Sequence, residues 1–169
     1  EYMFLDNSAC NLASLNLMKF RNEDGTFNIK RFRRAIRLFI IAQEILVDNG
    51  SYPNEPITEN SHRFRPLGLG YANLGSLAMS LAMPYDSDQA RSLAAAVSAI
   101  LTGTAYAASA EIAAIKGPFE EYEKNAGPML KVINMHRSRA ADISETHCPE
   151  YLIHAARDAW DEALSAGTK

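Results

Sequence analysis

The sequence predicts a mainly α fold with one or two short strands, on three observations. Apolar residues recur at helical spacing over most of the chain, as in Ile29, Phe32, Ile36, Phe39, Ile40 and Val47. One short stretch alternates instead: in NSACNLASLNL (7 to 17), Leu12, Ser14 and Asn16 fall on one face of an extended chain, and Ala13, Leu15 and Leu17 on the other. The composition, 47% hydrophobic and 22% charged over 169 residues, suits one ordered domain (1-169) with a real core.

Taken in order, the alternating stretch reads as a short, largely buried strand with Cys10 at its entrance. A polar loop, Arg21 to Gly25, follows. Asn28 is placed to cap a helix that Asn49-Gly50 would end with a left-handed stop. Ser51 to Pro56 reads as a connector, and a short helix from about Thr58 to Phe64 must end before Pro66. The segment LGLGYANLGSLAMSLAM (67 to 83) is glycine-rich at its front and helical by its middle, and Pro84-Tyr85 breaks it. Asp86 with Gln89 resembles a capping box for the longest helix, about Ser87 to Lys116, which Gly117-Pro118 terminates. That helix should bury its Ala-rich side, so Ala95, Ala99 and Ala110 should not all stand exposed. Short helices are expected near Pro118 to Lys124 and Pro128 to Arg139, then an amphipathic one from Pro149 to Ser165. A lone strand leaves its backbone groups unpaired, so its partners are expected outside this sequence or in a neighbouring copy.

A net charge of -3 and a pI near 5.8 show no electrostatic footprint of nucleic-acid binding. The two cysteines match neither a zinc spacing nor a disulfide framework, which points to a reducing cytoplasm and no metal site. The uncharged run SLAAAVSAILTGTAYAASA (92 to 110) is dominated by Ala, Ser, Thr and Gly, which favours a buried core helix over a membrane span. Both ends read as cut, so the chain is expected to be a fragment.

Four constellations carry chemical alternatives. Cys10 is either a small packed hydrophobe or a reactive thiol, and the residues alone leave this open. Gly68, Gly70 and Gly75 lack the dinucleotide spacing and a Walker lysine, so close backbone packing is favoured over phosphate contact. Lys30, Arg31, Arg33, Arg34 and Arg37 crowd the start of a helix whose end holds Glu44 and Asp48, against the macrodipole. An acidic surface of the same protein is the favoured partner for those cations, ahead of nucleotide or subunit contact. Cys148 before Pro149 would sit at an N-cap, where thiols acidify, yet no nucleophile motif surrounds it. His147, Cys148 and His154 have neither the count nor the spacing of a metal shell.

EYMFLDNSACNLASLNL (1 to 17) closely resembles the catalytic segment of the ribonucleotide reductase large chain, in which N-x-C-x-E precedes a strand A-C-N-L-x-S-[IL]-N-L. RFRPLGLGYANLGSLAMSLAMPYDS (63 to 87) is similar to that family's R-x-L-G-[IL]-G-x-x-N segment, and ASAEIAAIKGPFEEY (108 to 122) to its next helix ending in K-G-x-F. The short interval from Glu1 to Cys10 resembles the adenosylcobalamin-dependent class.

The resemblance implies a fragment of a ten-stranded α/β barrel and an oxidoreductase that converts ribonucleotides to deoxyribonucleotides. It implies that Glu1 accepts the proton of the 3' hydroxyl and that Cys10 is one of two reducing thiols. The radical cysteine, the partner thiol and a P-[ST]-x-T phosphate loop are expected outside this sequence. The fragment alone should therefore be inert and should not bind adenosylcobalamin tightly. Implied partners of the parent are a ribonucleotide substrate, nucleotide effectors, a thioredoxin-like reductant and a second copy in a homodimer. A metal-radical reductase, or a helical interaction module with inert cysteines, are the competing readings.

Overall fold

The computed structural model describes residues 5 to 168. Its elements are β1 (Asn11–Asn16), a single 3-10 turn (Leu17–Phe20), α1 (Ile29–Asn49), α2 (Glu55–Phe64), β2 (Leu67–Ala72), α3 (Leu74–Ser80), α4 (Asp88–Lys116), α5 (Tyr122–Ala140) and α6 (Glu150–Gly167). The fold is mostly helical, as the periodicity requires.

The first strand has its partner inside the chain, which corrects the expectation that it lay elsewhere. β1 and β2 pair in parallel over their whole length, from Asn11 opposite Leu67 to Asn16 opposite Ala72. Parallel strands need a long crossover. The loop, α1 and α2 supply it. β2 carries Gly68 and Gly70, residues that weaken strands, and this hid it in the glycine-rich run. The alternation in β1 holds: Leu15 is buried while Leu12, Ser14 and Asn16 are exposed.

Asn28 caps α1 as expected, its side chain accepting from the Arg31 amide at 2.9 Å. Phe32, Ile36, Ile40 and Val47 form the buried stripe, but Phe39 stands on the outer side. The helix does not end on a left-handed glycine, because Gly50 is extended at φ -76°. Its last carbonyls are met otherwise: the Gly50 amide donates to Leu46, and Tyr52 Oη and His62 Nε2 both reach the Val47 carbonyl. α2 starts three residues before the expected point, because Asn54 caps it and Pro56 fits the first turn.

Ser87, not Asp86, caps α4, accepting from the Ala90 amide at 3.1 Å. Gly117 ends it at φ 88°, a conformation that favours glycine. Among the described residues α4 alone is long and apolar enough to cross a membrane, yet it packs between α1 and α6 with Ala96, Val97, Ile100 and Thr104 fully covered. Ala95 is exposed and Ala99 and Ala110 are half-buried. The covered line runs instead through Ala96, Ala107 and Ala108.

The two short helices expected around Pro128 are one helix, α5, with Pro128 inside it. Its turns before Pro128 lie largely in solvent, where the carbonyl left without a donor meets water. In α6 the cap is Pro149, so Cys148 stands one residue outside the position assigned to it.

Two apolar clusters result. The larger joins Phe20, Phe27 and Phe32, whose rings meet edge to face at 5.0 and 5.1 Å about Phe32, with Leu17, Ile36, Ile100 and Leu152. The smaller gathers α4, α5 and α6 around Trp160, on which His136 stacks at 5.2 Å.

α4 and α6 pack backbone against backbone at Gly103. A Cβ there would lie 2.8 Å from the Ala159 carbonyl carbon and 2.9 Å from its oxygen and Cβ. Gly103→Ala should therefore lower stability by about 1–3 kcal/mol through overpacking, despite alanine's better helix propensity. Denaturant titration measures it, and a variant as stable as the wild type would show that the helices separate freely.

Candidate active site

Cys10 lies at the mouth of β1, half-buried, and the approach to it is pinned to α2. The Ala9 amide donates to Ser61 Oγ at 3.0 Å, and Asn60 Nδ2 donates to the Asp6 carbonyl at 2.9 Å. Ser61 is buried on α2. The Cys10 thiol donates to the Asn11 carbonyl at 3.7 Å.

The next shell is made of amides. Gln43, 2% exposed on the core side of α1, donates through Nε2 to the Asn11 and Gly68 carbonyls, both at 2.9 Å. Asn11 Nδ2 returns a hydrogen bond to the Gln43 carbonyl at 3.2 Å. At the other end of the strand pair, Asn73 Nδ2 donates to Asn16 Oδ1 at 2.9 Å, with Asn73 left-handed at φ 68°. Gln43 escaped the sequence reading. A polar residue on an otherwise apolar helical stripe was the available signal.

Arg65 caps the C-terminus of α2. It adopts a left-handed conformation at φ 49° and pairs with Glu44 at 2.7 Å and Asp48 at 2.7 Å. Lys116 reaches the same carboxylates at 3.6 and 3.2 Å. The hydrogen bond from Arg65, then that from Lys116, holds the Asp48 carboxyl below its ordinary range. At the start of α1, Arg33 pairs with Glu162 and Arg37 with Glu111, the latter with one contact at 2.8 Å. An acidic surface of the same chain thus answers both arginines, and the favoured reading of the basic cluster holds for them.

Gly68 and Gly70 lie in β2 rather than in an anion-binding loop, and Gly75 lies within the short α3. Cys148 is a buried free thiol, and burial pushes its pKa up, opposite to the acidified N-cap thiol considered above. His147 lies 3.9 Å from Asp88 and His154 lies 3.3 Å from Glu150. No three His, Cys, Asp or Glu side chains converge on a metal position among the described residues. Glu1 lies outside the described residues.

The family model for the ribonucleotide reductase barrel domain matches residues 1–169. A vitamin B12-dependent ribonucleotide reductase of Rhodopirellula baltica is 55% identical over the whole chain, which covers 16% of that protein. One of Streptomyces coelicolor is 44% identical, again over the whole chain and 18% of the relative. A ribonucleoside-diphosphate reductase large chain of Encephalitozoon cuniculi is 36% identical over 70% of the chain and 15% of its own length. The chain thus spans about a sixth of the length of the first two relatives.

Burial governs the Cys148 thiol. Its folded pKa is raised, so the stability it lends is complete below an ordinary thiol pKa of about 8.5 and is lost as pH rises toward the folded value. The melting temperature should fall more steeply as pH rises above about 8.5 in the wild type than in Cys148→Ala. In the folded chain Cys148 should also react with iodoacetamide at least about tenfold slower than in denaturant. Fast alkylation would mean that the α6 terminus, rather than burial, governs this thiol.

Proposed function

Because the chain belongs to the ribonucleotide reductase barrel-domain family, we propose that it is the part of a cobalamin-dependent ribonucleotide reductase that bears one reducing thiol, Cys10, and the proton-accepting carboxylate, Glu1. What carries this reading is the placement of Cys10. It opens a strand whose two ends are tied by Asn11 and Asn16, both members of the motif, whereas Cys148 is sealed in the core.

In the proposed reaction the family's thiyl radical takes the 3' hydrogen of the ribonucleotide. Glu1 takes the proton of the 3' hydroxyl, acting as a general base. The 2' hydroxyl leaves as water. Cys10 and its partner thiol supply two electrons and two protons and become a disulfide: one proton goes into the departing water and the other, with the electrons, gives the 2' carbon its new hydrogen. The radical cysteine returns the hydrogen to the 3' carbon and Glu1 the proton to the 3' oxygen, so each turnover consumes only the thiol pair. A thioredoxin-like dithiol restores it by exchange, which places the enzyme in the reducing cytoplasm. Nucleotide effectors and a homodimeric parent complete the proposal.

The relatives' names support adenosylcobalamin as the radical source of the parent. The groups around Cys10 are backbone carbonyls and amide side chains, with no converging metal ligands among the described residues. Backbone carbonyls and carboxamides are poor ligands for cobalt, so these groups do not fit the metal of a corrinoid. The match to a ribonucleoside-diphosphate reductase large chain favours a second reading, a metal-radical enzyme, over a smaller share of the chain.

In the parent enzyme Cys10→Ser should abolish multiple turnover with a dithiol reductant and leave the fold intact. Cys148→Ser should keep it. The reverse pattern, read by deoxyribonucleotide formation, would place the redox thiol at Cys148. Glu1→Gln should leave ribonucleotide affinity unchanged and slow the chemical step by about 10² to 10⁴, the range for a lost general base. Near-normal turnover of that variant would remove Glu1 from the mechanism and leave the Cys10 role standing.

A further inference from the structure

We propose that Gln43 is a positioning residue for the Cys10 thiol, holding from α1 the same Asn11 carbonyl that receives the thiol hydrogen. This rests on the reading of Cys10 as a reducing thiol.

Gln43 interrupts the buried stripe of Phe32, Ile36, Ile40 and Val47. A carboxamide is costly there unless bonded. Both Nε2 hydrogens are used, on the Asn11 and Gly68 carbonyls, which fixes the orientation of the amide. Its Oε1 then meets no donor among the described residues. A leucine or methionine would fill the stripe without that penalty, so packing alone does not account for a glutamine here.

The Asn11 carbonyl accepts from Gln43 Nε2 at 2.9 Å and from Cys10 Sγ at 3.7 Å. A carbonyl that already holds a strong donor is a weaker acceptor for a second, and it repels a nearby thiolate less. Gln43 therefore loosens the thiol's hold on its hydrogen while fixing the peptide from which Cys10 projects. The return bond from Asn11 Nδ2 to the Gln43 carbonyl makes the grip two-way. Gly68, opposite Leu12 in the ladder, ties β2 to the same side chain.

The test uses the parent enzyme carrying Gln43→Leu or Gln43→Asn, whose amide is one methylene too short to span both carbonyls. Iodoacetamide alkylation of Cys10, resolved by peptide mass, is followed against pH, alongside kcat and KM. Both variants should move the midpoint of Cys10 alkylation to higher pH and slow it near neutrality by about fivefold, the scale of one neutral hydrogen bond. kcat should fall with KM unchanged. Val47→Ala, which weakens the same stripe without touching Asn11, should lose stability but keep the wild-type pH profile. If Gln43→Leu does not fold, Gln43→Asn decides alone. An unmoved alkylation profile in a destabilised Gln43 variant would overturn the proposal and leave Gln43 as a structural residue. If Cys10→Ser keeps full turnover, the reducing-thiol reading falls, while the alkylation profile still reports whether Gln43 governs this thiol.

Discussion

A pair of parallel strands cannot be closed by a turn, and two strands alone cannot cover themselves. Here that constraint is met by one helix. α1 crosses from β1 toward β2, lays its apolar stripe over the inner face of the pair, and grips both backbones near their first rungs through Gln43. α2 and the Arg65 corner then only have to deliver the chain to β2 at the right register. Cys10 sits where these restraints meet, so its placement follows from how the crossover is secured.

The charges of α1 fit the same logic. Arginines at its start and acids at its end oppose the peptide dipoles, which an isolated helix would tolerate poorly. In the folded chain each end faces opposite charge from distant elements: Glu162 and Glu111 near the start, Arg65 and Lys116 near the finish. Exposed pairs of this kind add little stability singly. Their contribution is orientation, since reversing α1 would set like charges together.

Much of this was legible in the residues. The alternation of β1, the Asn28 cap and the stop at Gly117 depend on local chemistry and were read from it. β2 was not, because glycines remove the side-chain period that marks a strand, and its partner confers the extended state from outside. The continuity of α5 through Pro128 was hidden because a proline is read as a break, whereas a solvated turn accommodates one. For the site, motif likeness pointed to Cys10. The Gln43 clamp needed three dimensions, since its two carbonyls come from separate strands.

The contact at Gly103 also bears on motion. Moving α6 along α4 by one helical turn would bring Ala99 or Ala107 to the place where Gly103 now meets Ala159, and the added methyl has no room beside that backbone. Glycine at one position and alanine a turn to either side act as a detent, so sliding between the two helices is blocked in both directions. α4 and α6 are thereby held in one register, and α4 packs in turn against α1.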